Sequence, residues 1–185
     1  MKWWIDKNDI LRLLIQPEAK IIDIGCGPNP VFDNATNVDK SIQNVPNFIL
    51  AEAEALPFEQ FEFDYAVLSE ILEHVVDPKK ILEEAQRVAK FVVFTVPNEF
   101  QWDKRLKPFS HPEHLRYFTE ESLFDLTIKV GLQEPEFIKI CVMGWSHFII
   151  FGFSKNSNIE KEIRDERPEW ASRFIPWKEK DNAII

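Results

Sequence analysis

Lys20-Ile21-Ile22-Asp23-Ile24-Gly25-Cys26-Gly27 is a short β-branched run that ends on two glycines. A run of this kind suits a strand buried on both faces of a parallel sheet, where neither face demands polar alternation. Phe63-Asp64-Tyr65-Ala66-Val67-Leu68 and Phe91-Val92-Val93-Phe94-Thr95-Val96 have the same character. Thr36 to Asp39 and Phe48 to Ala51 are weaker strand candidates, while Phe137 to Met143 and His147 to Phe153 read as a hairpin about Gly144. Helical segments separate these runs. Asp6 to Ile15 places Ile10, Leu11, Leu14 and Ile15 on one face and stops before Pro17. Pro78 to Lys90 opens with Asp77 as a cap and proline at the first position, and Glu120 to Val130 follows Thr119 and ends at Gly131. Strands alternating with helices predict an α/β three-layer sandwich with a mostly parallel sheet, the closing hairpin adding an antiparallel strand at one edge.

The size of the chain fits one core: 185 residues, 45% hydrophobic and 29% charged, match a globular domain rather than a disordered or fibrous chain. The predicted domain runs over residues 1–154, with a charged, aromatic extension over 155–185 packed on it. A net charge of −9 repels phosphate backbones and anionic lipid, so neither nucleic acid nor a membrane is an expected partner. Cys26 and Cys141 stand far apart and outside any CxxC spacing, which argues against a disulfide framework and makes the cytoplasm the expected compartment. The opening residues lack a signal-peptide core, and no apolar run reaches the ~20 residues of a membrane span.

The chain holds five glycines, and two of them close the first strand. Glycine there lets the backbone turn sharply and approach a ligand at the edge of the sheet where cofactors bind. A dinucleotide fingerprint would need a third glycine where Pro30 stands, and the ending of a phosphate loop is absent, so a nicotinamide-dependent oxidoreductase fits the fold but not the spacing. Asp39 ends the second strand, where its carboxylate is placed to accept hydrogen bonds from ribose hydroxyls or simply to meet solvent. Ala51-Glu52-Ala53-Glu54-Ala55-Leu56-Pro57-Phe58 follows the third strand with an acidic residue and then an apolar clamp suited to an adenine ring. After the fourth strand, Ser69-Glu70-Ile71-Leu72-Glu73-His74-Val75 predicts a helix that carries a histidine.

Taken in this order, these segments resemble the class I S-adenosylmethionine-dependent methyltransferases of the small-molecule type, from about Lys20 to Phe153. His114-Leu115-Arg116-Tyr117-Phe118-Thr119, ahead of a helix that ends at Gly131, is similar to a later segment of that family. The resemblance implies a Rossmann-like, seven-stranded sheet with an antiparallel last strand. It implies S-adenosylmethionine as cofactor, S-adenosylhomocysteine as product and a small molecule as methyl acceptor. Carried over, Asp23, Gly25, Cys26 and Gly27 line the methionine end, Asp39 with its neighbour Lys40 meets the ribose, and Glu52 and Ala53 meet the adenine. Backbone at Leu68 and Ser69 closes the methionyl side. The family's third loop glycine is replaced by Asn29, and twelve positions separate Gly27 from Asp39, so the first crossover helix is expected to shrink to a loop.

His74 is the first candidate for a catalytic base, against the alternative of a histidine that packs or contacts cofactor backbone. His114, in His111-Pro112-Glu113-His114, is the second catalytic candidate, acting as a substrate contact, against the alternative of a loop hydrogen bond; the proline inside the spacing and the lack of a third ligand leave no metal assigned. Arg116 is read as an exposed salt bridge or a holder of an acidic acceptor. Trp170, Phe174 and Trp177 are read as packing on the sheet edge or a homodimer mate, or else as a cover for the cleft. A non-catalytic, cofactor-binding regulatory or assembly partner is the alternative to an enzyme.

Overall fold

The computed structural model describes residues 7–16, 18–142 and 145–154. Helix α1 (Lys7–Leu14) leads into strands β1 (Ile21–Ile24), β2 (Thr36–Asp39), β3 (Phe48–Leu50) and β4 (Phe63–Ser69). Helix α2 (Pro78–Val88), strand β5 (Ala89–Pro97), helix α3 (Glu120–Val130) and strands β6 (Gln133–Val142) and β7 (Trp145–Phe153) follow. The strands form one seven-stranded sheet in the order β3-β2-β1-β4-β5-β7-β6. Pairs among β1 to β5 are parallel, and β7 runs antiparallel to both β5 and β6. This is the Rossmann-like sandwich that the sequence predicts. Its hairpin enters with the later strand inside and the earlier one at the rim.

Strand periodicity divides the core in two. Ile22, Ile24, Ala66, Leu68, Val92 and Phe94 face α2 and α3, and pack with Ile81, Leu82, Ala85 and Leu123. Ile21, Tyr65, Val67, Phe91 and Val93 face the other way, where Leu11, Leu14 and Ile15 cover them. Each fully buried leucine in such a place contributes about 2 kcal/mol, so α1 holds its face with few side chains. Val31 and Ala35, from the loop between β1 and β2, fill the space beside it. No helix forms in that crossover among the described residues, in keeping with Pro28 and Pro30.

Local chemistry sets the helix ends. The Asp77 side chain accepts from the amides of Lys79 and Lys80, and proline follows at the first helical position. Thr119 and Ser122 close a reciprocal capping box on α3, and Gly131 at φ +74° ends it in the left-handed region. The helix expected around His74 is instead one 3-10 turn, Leu72–His74. Val75 is already extended, and Asp77 and Pro78 start a new helix, leaving no room for a further turn. No helix among the described residues is long and apolar enough to cross a membrane. The aromatic extension with Trp170, Phe174 and Trp177, and the Gly144 turn, lie outside the described residues.

Candidate functional site

A cavity of about 600 Å³ opens at the carboxyl ends of β1, β2 and β3, walled by Gly25, Gly27, Asp39, Lys40, Glu52, Ala53, Glu70 and His74 among others. Ligands of open parallel sheets bind at this end of the strands. The floor is the turn after β1. Gly25 and Cys26 donate their amides to the Val38 carbonyl at 2.8 and 3.0 Å, folding the turn back onto β2. Both glycines lie in the left-handed region, Gly25 at φ +73° and Gly27 at +56°. A Cβ on Gly25 would stand 2.4 Å from Ile71 Cδ1, whereas one on Gly27 would meet nothing within 4 Å. The first glycine is therefore required by packing, and the second leaves space open toward the cavity.

Two carboxylates hold the turn. Asp39 accepts from the Gly27 amide at 3.0 Å through Oδ2 and from the Ser41 amide at 2.9 Å through Oδ1. Each oxygen keeps a lone pair for a ligand hydroxyl. Asp23 is 1% exposed; its Oδ2 accepts from the Val31 amide at 2.8 Å and its Oδ1 has no partner. Burial pushes Asp23 up to about 6, against the opposing pull of the Val31 amide and Lys7. Burial and the carboxylates of Asp23 and Asp39 push the Cys26 thiol up to about 12, which makes it an inert packing group.

The sequence-derived residues divide accordingly. Gly25, Gly27, Asp39, Lys40, Glu52, Ala53 and His74 reach the cavity wall together. Asp23, Cys26 and Leu68 are buried behind it, and the Ser69 hydroxyl accepts from Lys7 Nζ at 2.7 Å. The apolar clamp expected of Leu56 and Phe58 is not formed at the cavity. Leu56 is in the core, and Phe58 packs on it, edge-on to Phe63 at 5.0 Å. Arg87 draws this loop inward, donating to the carbonyls of Phe58 at 2.7 Å and Leu56 at 2.9 Å while paired with Glu84. Arg116 forms no salt bridge among the described residues: its Nη2 donates to the carbonyls of Val75 and Val76, each at 2.7 Å.

The far wall carries residues that sequence reasoning missed. Glu70 sits at φ +57° after β4, accepts from the Thr95 hydroxyl at 2.6 Å and pairs with His147 at 3.2 Å. Burial opposes its ionisation, but His147, Lys7 and Thr95 outweigh that and hold its carboxyl below the usual range. Glu73 is 1% exposed and both its carboxylate oxygens lack a hydrogen-bond partner. Burial, and then the charge of Glu70, push it up to about 9. Beside it, His74 Nδ1 lies 3.0 Å from the Glu113 carbonyl oxygen, and His114 Nδ1 lies 2.5 Å from Oε1 of the buried Glu99. His114 is thus committed to Glu99 rather than to the cavity wall. The spacing Glu70-Ile71-Leu72-Glu73-His74 was the available signal, three ionisable groups within five residues of a strand end.

The sequence pattern of a family described as a methyltransferase domain matches residues 7–133. An uncharacterized protein of Methanocaldococcus jannaschii is 32% identical over 104 residues, a match covering 47% of this chain and 51% of that one. The chain thus spans about half the length of this curated relative. Among solved structures, a SAM-dependent methyltransferase of Thermotoga maritima superposes with a TM-score of 0.62 at 20% identity, over 80% of this chain and 87% of that one. The magnesium protoporphyrin IX methyltransferase of Synechocystis, solved with bound SAH, gives 0.57 at 12% identity, over 75% of each chain. At such identities the likeness is one of fold.

Proposed function

The chain belongs to the methyltransferase-domain family, and on that premise we propose that it binds S-adenosylmethionine in the cavity at the ends of β1, β2 and β3 and transfers its methyl group to a small-molecule acceptor. The observation that carries this reading is Asp39. Its carboxylate ends β2, fixes the Gly27 amide at 3.0 Å and forms part of the wall of a cavity of about 600 Å³. That volume falls within the ~300–1,000 Å³ usual for cofactor-sized ligands. The open space at Gly27 also fits a ligand that approaches the backbone closely.

Asp39 is assigned to the ribose hydroxyls, with Lys40 beside it, and Glu52 and Ala53 to the adenine. Gly25 and Gly27 face the methionine end, and Asp23, Cys26, Leu68 and Ser69 support that end from behind. When bound, the cofactor supplies an activated sulfonium methyl. The protein is left to hold donor and acceptor in line and to exclude water. A base is required only where the acceptor must lose a proton early, and of the two histidines singled out from sequence, only His74 lies on the cavity wall.

Calorimetric titration with S-adenosylmethionine and S-adenosylhomocysteine tests the reading. We expect micromolar binding of both, weakened at least ~10-fold in Asp39→Ala, a change of about 1.4 kcal/mol. A folded wild-type protein that binds neither ligand would overturn it. Methyl transfer in a radiolabelled acceptor screen is the second readout, and binding without any turnover would favour the regulatory role instead.

A further inference from the structure

We propose that Glu73, His74 and His114 bind a divalent transition-metal cation of the zinc class, in the wall between the cofactor cavity and the loop that follows β5. This does not depend on the cofactor assignment. One ligand atom from each residue lies within 4.8 Å of the others. Ligands at ~2.1 Å from a tetrahedral ion stand about 3.4 Å apart, so closure asks for side-chain shifts of about an ångström.

The hydrogen bonding around the cluster is that of a prepared site. A carbonyl oxygen only accepts, so the Glu113 contact fixes the His74 proton on Nδ1 and leaves Nε2 with its lone pair. That nitrogen lies 3.9 Å from Glu73 Oε1. The Glu99 carboxylate fixes the His114 proton on Nδ1 in the same way and leaves its Nε2 free to ligate. Metal-binding histidines almost always donate their second N–H to a carbonyl or carboxylate, which orients the ring and raises its basicity. Glu99 is itself 1% exposed and held by the amide of Phe109.

The third observation is the Glu73 carboxylate. Two buried oxygens with no donor are rarely left uncompensated in a folded protein, and a dication between two neutral imidazoles supplies what the surrounding side chains do not. Backbone bonds tie the two segments together, the Leu115 amide donating to the Glu73 carbonyl at 2.8 Å. Two nitrogens and one carboxylate suit zinc, cobalt, manganese or iron(II) better than magnesium or calcium, and a three-residue set leaves a coordination position for water or an acceptor atom.

The assignment revises the reading of His111-Pro112-Glu113-His114. The pair three residues apart does not chelate: the His111 ring stacks on His114 at 4.2 Å, and its Nδ1 accepts from the Glu113 amide at 3.3 Å. Of the three donors, His114 alone belongs to this segment, and the other two, Glu73 and His74, come from the turn after β4. Zinc binding also replaces a general-base role for His74, whose one free lone pair would be taken by the cation.

The test uses the full chain, stripped with chelator and titrated with zinc chloride by calorimetry, with cobalt(II) loading followed by visible d–d absorption. We expect one zinc per chain, and a rise in Tm on loading. Glu73→Gln and His114→Ala should each lose more than ~100-fold in affinity, and Glu99→Gln about 10–100-fold, whereas His111→Ala binds as wild type. Circular dichroism checks folding, and near-isosteric Glu73→Gln decides the matter should His114→Ala unfold. No stoichiometric uptake by the wild type, undiminished uptake by Glu73→Gln, or equal losses in His111→Ala and His114→Ala would each overturn the proposal.

Discussion

Alanine placed at the two loop glycines should separate stability from cofactor binding. Both positions lie in the left-handed region, where an L-residue costs about 1–2 kcal/mol, partly offset by about 0.4–1 kcal/mol from a less flexible unfolded chain. Gly27→Ala meets no neighbour within 4 Å, so strain alone acts and the net loss is about 1 kcal/mol or less. Gly25→Ala also drives a methyl to 2.4 Å from Ile71 Cδ1. Moving Ile71 off its rotamer adds about 0.5–1.5 kcal/mol, for a total of about 2 kcal/mol. For a chain of this size each kcal/mol lowers Tm by about 2–4 °C, giving a fall of about 6 °C for Gly25→Ala and about 2 °C for Gly27→Ala. Affinity for S-adenosylmethionine should drop in Gly27→Ala despite its mild thermal effect, since its methyl enters the cavity. Thermal denaturation by circular dichroism, paired with calorimetric titration, reads both quantities. Equal Tm losses, or a Gly27→Ala protein that binds cofactor as tightly as the wild type, would refute the division of labour between the two glycines.

Asp23 gives a pH dependence. Its folded value is raised from 3.8 to about 6, so the native state holds the proton longer than the unfolded chain, and stability falls as pH rises from about 4 to 6, by about 3 kcal/mol in full above that window. Urea denaturation of Asp23→Asn across this range should show the slope flattened; an unchanged slope would assign it elsewhere. Arg87→Ala removes two carbonyl contacts and the Glu84 pair, and should cost about 2 kcal/mol in chemical denaturation; a loss under ~0.5 kcal/mol would mean that the Leu56-Pro57-Phe58 loop holds without it. Thr119→Ala opens the capping box of α3 and should cost about 1 kcal/mol, measurable as a shift in denaturation midpoint, with no effect on zinc or cofactor affinity.

The centre of the sheet was legible because β1, β4 and β5 are largely apolar runs, and because β-branched residues meeting a glycine pair mark where a buried strand ends. The limits of α3 were legible too, since Thr119 and Gly131 act on backbone groups a few bonds away. What sequence reasoning missed depends on partners brought from afar. Phe58 has the composition of a ring clamp, but Arg87, twenty-nine residues later, takes its carbonyl and fixes the loop on the core. Arg116 has the charge of an anion holder, but two loop carbonyls about forty residues earlier, those of Val75 and Val76, take its Nη2. The sequence around Leu72–His74 predicts a helix where the chain makes a single 3-10 turn, because Asp77 and Pro78 start a new helix just beyond it. Glu73, Glu99 and His114 come from three segments, and nothing in their separate spacings announces the meeting.

The placement of β7 between β5 and β6 bears on how the chain assembles during synthesis. Among the described residues, strand β6 pairs with β7 alone, and the open side of β5 is closed only by β7. Until Trp145–Phe153 has emerged from the ribosome, β5 keeps an unpaired edge of nine residues, nearly all buried in the finished fold. Such an edge recruits foreign strands. The hairpin must therefore form and dock as a unit, a late, non-local step of the kind that slows folding, and a nascent chain halted before Trp145 is the species most exposed to aggregation.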